Sequence, residues 1–207
     1  MVGREAKGET ESFIIFIRFV VSMKVRENLV SKLSRSQDYV ALATVNADAY
    51  AEVNSEIIYY LTEVRKTPGV YVTLNKPFEA IKSFLQSKEV NINMLMFIDA
   101  VTKTAGGSTE KTDRCLFIGN PENLTDIAMA MDQAVRAIPA KERFLFFDSL
   151  STLLVYNKPV MVVKFIHFLA GKMRVWKVKG IIISLMRESD KELIDQLMQF
   201  CDIKLEL

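Results

Sequence analysis

Short apolar runs that do not alternate with polar residues constrain this chain more than any other feature. Tyr39–Thr44 reads YVALAT, Ile92–Ile98 INMLMFI, Phe144–Phe147 FLFF and Gly180–Leu185 GIIISL. A strand with one wet face alternates, whereas a strand covered on both faces does not. Each run therefore predicts a strand of a parallel sheet held between helical layers. Val70–Leu74, Cys115–Ile118 and Ile203–Leu207 complete the set. Helical spacing fills the gaps. The stretch 24–37 turns Val25, Leu29, Val30 and Leu33 inward. A helix after Thr44, capped by Asn46 or Asp48, carries Tyr50, Val53, Ile57, Leu61 and Val64. Asn75 and Pro77 open a helix bearing Ile81, Phe84 and Leu85, and Asn120-Pro121-Glu122 opens one running to Ile138. A long helix spans Pro159 to Trp176, and a Ser189–Glu192 capping box starts the last, with Leu193, Ile194, Leu197 and Phe200 inward. The pattern predicts a three-layer α/β/α domain with a mainly parallel sheet, the strands at Tyr39, Phe144 and Gly180 being central.

At 207 residues with half of them apolar, the chain can bury one large core. A net charge of +2 is too mild to require nucleic acid. Two distant cysteines and one histidine cannot assemble a zinc site, and a reduced, cytoplasmic setting is the simpler expectation. Residues 1–24 read as an N-terminal extension to a single domain over 25–207. Phe13–Met23 is apolar but broken by Arg18, and it falls short of the ~20 residues that cross a bilayer. Glu5, Glu9 and Glu11 argue against a secretory leader. The extension is either a docking or edge segment, or lies ahead of a natural start at Met23. Lys103 to Asp113, with Gly106-Gly107, reads as a mobile loop.

Asp148 follows FLFF directly, at the edge of the sheet where α/β folds place ligands. It either holds a magnesium ion on nucleotide phosphates or caps the next turn. Asp99 ends another strand and could pair with Asp148 as a metal or acid/base couple. On the long helix, Lys164, His167, Gly171, Arg174 and Lys177 share one arc, with no acidic residue between Asp148 and Glu188. That arc suits phosphate groups or an acidic partner, or is a plain solvated face. His167 has no cysteine or carboxylate beside it in sequence. Met94, Met96, Met129 and Met131 read as core filler.

GVYVTLNKP, FIDAVT, CLFIGNPENLTDI, FLFFDSLSTLLVYN, KFIHFLAGKMR and FCDIKLEL together resemble the RecA-superfamily ATPases. The nearest group is the KaiC-like archaeal proteins, and the resemblance covers roughly 36–207. It implies a RecA-like P-loop NTPase fold, with FFDSLST similar to a Walker B strand and Asp148-Ser149 at the magnesium-associated position. Two departures follow. The family's first strand leads into G-x-x-x-x-G-K-[ST], whose amides and lysine cradle phosphates. Here it leads into VNADAYAE, and no glycine lies between Gly8 and Gly69, nor any lysine between Lys32 and Lys66. Asn46, Asp48, Tyr50 and Glu52 mark this degenerate phosphate loop, and Asp48, Glu52 and Glu56 set acid where a phosphate would sit. The second departure is Asn75-Lys76, where KaiC-like relatives commonly carry a Glu pair. Asparagine cannot act as a general base, although the Lys76 ammonium could reach a ligand from that side.

A non-catalytic regulatory or protein-interaction module, in signal transduction, is the function expected, with neither cofactor nor metal. The alternatives are an ATPase using ATP and magnesium at Asp148 through a nonstandard loop, or a nucleic-acid-associated protein using the basic helix. The expected partner is a second copy or an intact relative. The acidic shoulder of Asp48, Glu52 and Glu56 and the basic arc would steer it, so association should weaken with salt. No membrane span is expected.

Overall fold

Among the described residues, seven strands form one sheet: β1 (Tyr39–Val45), β2 (Gly69–Thr73), β3 (Leu95–Asp99), β4 (Cys115–Phe117), β5 (Phe144–Asp148), β6 (Lys179–Leu185) and β7 (Ile203–Glu206). Their order is β4-β3-β2-β5-β6-β1-β7, and every neighbouring pair is parallel. The computed structural model describes residues 22–34, 37–110, 112–186 and 191–207. Parallel strands need crossovers, and helices supply them except between β3 and β4, which a loop joins. The helices are α1 (22–33), which precedes β1, α2 (Tyr50–Tyr59), α3 (Phe78–Ser87), α4 (Leu124–Ala137), α5 (Leu150–Tyr156), α6 (Pro159–Trp176) and α7 (Lys191–Met198).

Successive strand residues face opposite layers. Val40, Leu42, Leu145 and Phe147 pack under α4, α5, α6 and α7. Ala41, Ala43, Phe144 and Phe146 pack under α1, α2 and α3. All four apolar residues of β5 are fully buried, each contributing about 1.5–3 kcal/mol. Gly69 lets β2 approach them, because a Cβ there would run into the Phe144 ring. The fold is the expected three-layer α/β/α arrangement with a parallel sheet.

Several details depart from expectation. β5 and β6 are interior, but β1 lies one strand in from the edge and owes its burial to the helices above and below. Val64 is exposed because α2 runs into a π-helical turn over Tyr60–Val64, which adds a residue to the turn and rotates the stripe. Val30 of α1 is exposed as well. The first part of INMLMFI is a 3-10 turn, Ile92–Met94, capped by Asn91. α4 starts at Leu124 under an Asn123 cap, while Asn120 only turns the chain towards Glu122. The short helix α5 has no helical stripe in the sequence to announce it. Lys179 opens β6 fully buried, its ammonium 2.5 Å from Glu142. Ser189 of the capping box lies outside the described residues.

Candidate functional site

After β2 the chain winds towards β3 and β4; after β5 it winds the other way, to β6. This reversal opens a crevice at the C-terminal ends of β2 and β5, where folds of this class hold ligands. Thr73, the last residue of β2, is in register with Asp99 on one side and Asp148 on the other.

Asp148 points into the layer of α2 and α3. The Tyr71 hydroxyl, from the middle of β2, donates to its Oδ2 at 2.5 Å. The Tyr50 hydroxyl, from the first residue of α2, donates to its Oδ1. Burial pushes the Asp148 carboxyl up to about 8, so near neutral pH it is mostly protonated. In the neutral acid one of these two contacts runs the other way, the carboxyl O–H donating to one phenol while the second phenol donates to the remaining oxygen. Burial also raises the Tyr71 hydroxyl, with Asn54 beside it pulling the other way, so this phenol stays neutral. Asp148 caps nothing. That role falls to Ser149, whose Oγ accepts the Thr152 N–H at the start of α5.

Asp99 does not join Asp148. Two strand spacings separate them, roughly 9–10 Å between backbones. Its carboxylate accepts the N–H groups of Phe78 (2.7 Å), Val101 (2.7 Å) and Thr102 (2.8 Å), and the Thr102 hydroxyl. It thereby caps α3 from a neighbouring strand, since Pro77 at the N-cap position supplies no acceptor side chain. It is committed to the fold and offers nothing to a ligand.

The β1–α2 connection makes a 3-10 turn over Ala47–Ala49, which puts Ala49 in the N-cap position of α2. Neither Asn46 nor Asp48 caps a helix with its side chain. The acidic shoulder is also largely spent. Glu52 pairs with Lys88, the residue that ends α3, at 2.7 Å, and Glu56 with Arg26 of α1 at 2.5 Å, so both tie neighbouring helices onto α2. Asp48 alone of the three is exposed. The basic arc fares similarly. Arg174 pairs with Asp202 at 2.8 Å and donates to the Phe200 carbonyl. The His167 ring lies 4.6 Å from that of Phe200. Lys177 ends α6 in a left-handed conformation, φ +53°, and Lys164 stands exposed.

Between α2 and α3 lies a cavity of about 130 Å³. Tyr50, Asn54, Tyr71 and Asp148 form its polar end; Ile81, Phe84 and Leu85 form an apolar wall; Asn75 and Lys76 stand at its exposed rim. Asn54 is buried, and its Oδ1 meets no donor. Sequence reasoning named Tyr50 without its partner and missed Tyr71 and Asn54. A signal existed: Asn54 falls four residues after Tyr50, on the stripe shared with Val53 and Ile57. A larger open groove, about 880 Å³, runs between α4, β4 and α6. Among its charged residues, Asp132 pairs with Arg136 and Lys172.

Residues 62–207 match a family of unknown function, DUF7504. No curated protein matches the chain. Among solved structures it is similar to a KaiC-like protein from the hyperthermophilic archaeon Pyrococcus horikoshii, at 16% identity and a TM-score of 0.55, over 83% of this chain and 72% of that one. It is also similar to an uncharacterised protein from Pyrococcus horikoshii solved in complex with an unknown peptide, at 15% identity and a TM-score of 0.65, over 87% and 82% of the two chains. At such identities the likeness carries the fold, which is RecA-like.

Proposed function

We propose that this chain, which belongs to the DUF7504 family of unknown function, is a non-catalytic KaiC-like module acting through protein contacts in a regulatory or signalling role. Asp148 carries the reading: both of its oxygens are engaged by tyrosine hydroxyls. Magnesium is a hard cation that needs an ionised, accessible oxygen, and burial holds this carboxyl mostly protonated. The connection from β1 to α2 adds further obstacles. It has no glycine to bring backbone amides close to a phosphate and no lysine to meet one. Glu52 stands in the first turn of α2, where a phosphate would need positive potential. These residues do not fit a magnesium nucleotide. Among the described residues, no three His, Cys, Asp or Glu side chains gather to hold a metal.

Support for protein contact comes from Val155, Tyr156, Val160 and Met161, all exposed around the turn from α5 to α6. A structural neighbour solved with a peptide bound points the same way. Charge steering is a weaker basis than the sequence suggested, because Glu52, Glu56 and Arg174 are paired within the chain. We assign the partner to a second copy or a related chain seated on the apolar cluster, and the compartment to the cytoplasm. Both cysteines are free, and no helix among the described residues is long and apolar enough to cross a membrane.

Phosphate release from magnesium ATP tests the reading. The expected rate equals that of buffer, for the natural chain and for Asp148→Asn alike. Release by the natural chain that Asp148→Asn abolishes would overturn it. Association should persist as salt rises and be lost in Val160→Asp/Met161→Asp, as light scattering would report.

A further inference from the structure

Packing leaves one half of the Asn54 amide, its carbonyl oxygen, without a partner. Its side chain is 5% exposed and its Oδ1 faces no donor, in a helix whose neighbouring positions, Val53 and Ile57, are fully buried and apolar. An unpaired buried acceptor costs about 1–3 kcal/mol, which a leucine of similar shape would avoid. The acceptor lines the cavity between α2 and α3, so a group entering that cavity can meet it.

The cavity's size and walls narrow what can enter. At about 130 Å³ it is far below the roughly 300–1,000 Å³ of sites for larger ligands, which excludes a nucleotide. It is close to the ~150 Å³ apolar cavity known to accept a benzene ring. Ile81, Phe84 and Leu85 supply an apolar wall for such a ring. Lys76 stands on the rim, held by its backbone through Thr73, which leaves its ammonium at the exposed side.

We propose that this cavity binds a single-ring aromatic carboxylate bearing a hydrogen-bond donor. The ring lies against Phe84 and Ile81, the donor meets Asn54 Oδ1, and the carboxylate meets the Lys76 ammonium. The inference rests on the reading that this crevice no longer takes a nucleotide. A ligand of this class would join α2 to α3 and so report its presence to the surface those helices share.

Titration calorimetry on the full chain tests it, with 4-hydroxybenzoate as probe, benzoate and phenol as controls, and magnesium ATP as a separate arm. The expected result is saturable binding of 4-hydroxybenzoate, about tenfold tighter than either control, the ratio for one lost hydrogen bond or ion pair. Lys76→Ala, at an exposed position, should weaken the probe about tenfold. Asn54→Leu should bring it down to the level of benzoate and leave benzoate unchanged. Ala80→Trp, which fills the cavity from its exposed side, should abolish binding. Equal affinity for probe and controls, indifference to Lys76→Ala, or no saturation at millimolar probe would each overturn the proposal and leave Asn54 to an ordered water. Binding of magnesium ATP would overturn the non-catalytic reading instead. Absence of both ligands overturns the aromatic site alone.

Discussion

Asp99 and Asp148 end strands that flank β2 at the same register, and both are buried, yet their surroundings are opposite. Asp99 is surrounded by backbone: three N–H groups from the start of α3 and the loop after β3, plus a hydroxyl from that loop. Asp148 is met by two phenols and by no backbone donor from the turn it precedes. A carboxylate that organises many N–H groups is part of the scaffold. One that shares two hydroxyls in an apolar layer becomes a neutral plug. In this crevice the donors, more than the carboxyl group, decide what an aspartate at a strand end can do.

Removing each side chain should separate the two roles. Asp99→Ala strands three backbone donors and the start of α3, and should cost about 4 kcal/mol in urea unfolding. A loss under about 1 kcal/mol would mean that water replaces the carboxylate easily, and that Asp99 is no more structural than its counterpart. Asp148→Ala leaves two hydroxyls and a void, and should cost about 2 kcal/mol. Asp148→Asn, which can still donate and accept, should cost less than ~1 kcal/mol at about pH 4, where the carboxyl is protonated folded and unfolded, and less still as pH rises. If the Asn variant fell as far as the Ala variant, the plug would not be neutral. Among the phenols, Tyr71→Phe should cost about 1–1.5 kcal/mol and Tyr50→Phe about 0.5–1 kcal/mol, because Tyr50 is only half-buried and water can replace its hydroxyl. The reverse order would place the tighter bond on α2.

Much of the scaffold was legible in the residues. FLFF reads as a strand covered on both faces and is one, and Pro159 to Trp176 reads as α6 with its bounds intact. What escaped was the pairing of groups distant in sequence. Tyr50 and Asp148 lie 98 residues apart, and Arg174 and Asp202 lie 28 apart. No local spacing announces either pair. The basic arc has no acidic residue within its own stretch of chain, and the carboxylate that meets it, Asp202, arrives from beyond α7. The acidic shoulder looked free because Lys88 and Arg26 sit on other helices. Periodicity also assumes an unbroken helix, so the π-helical turn after Tyr59 moved Val64 out of a stripe that the spacing had placed inside.

The protonation of Asp148 is the point on which the account turns, and unfolding free energies across pH report it. The folded carboxyl titrates near 8, against about 3.9 in an unfolded chain. Between those values the folded state binds the extra proton. The stability that Asp148 contributes is therefore complete below about pH 4 and is lost as pH rises through 8. Asp148→Asn has no such loss. Measured from about pH 5 to about pH 8, the stability of the Asn variant relative to the natural chain should rise steadily, approaching ~1.4 kcal/mol per pH unit. A flat difference, or one that moves in favour of the natural chain as pH rises, would show an ionised carboxylate at the end of β5 and contradict the neutral plug.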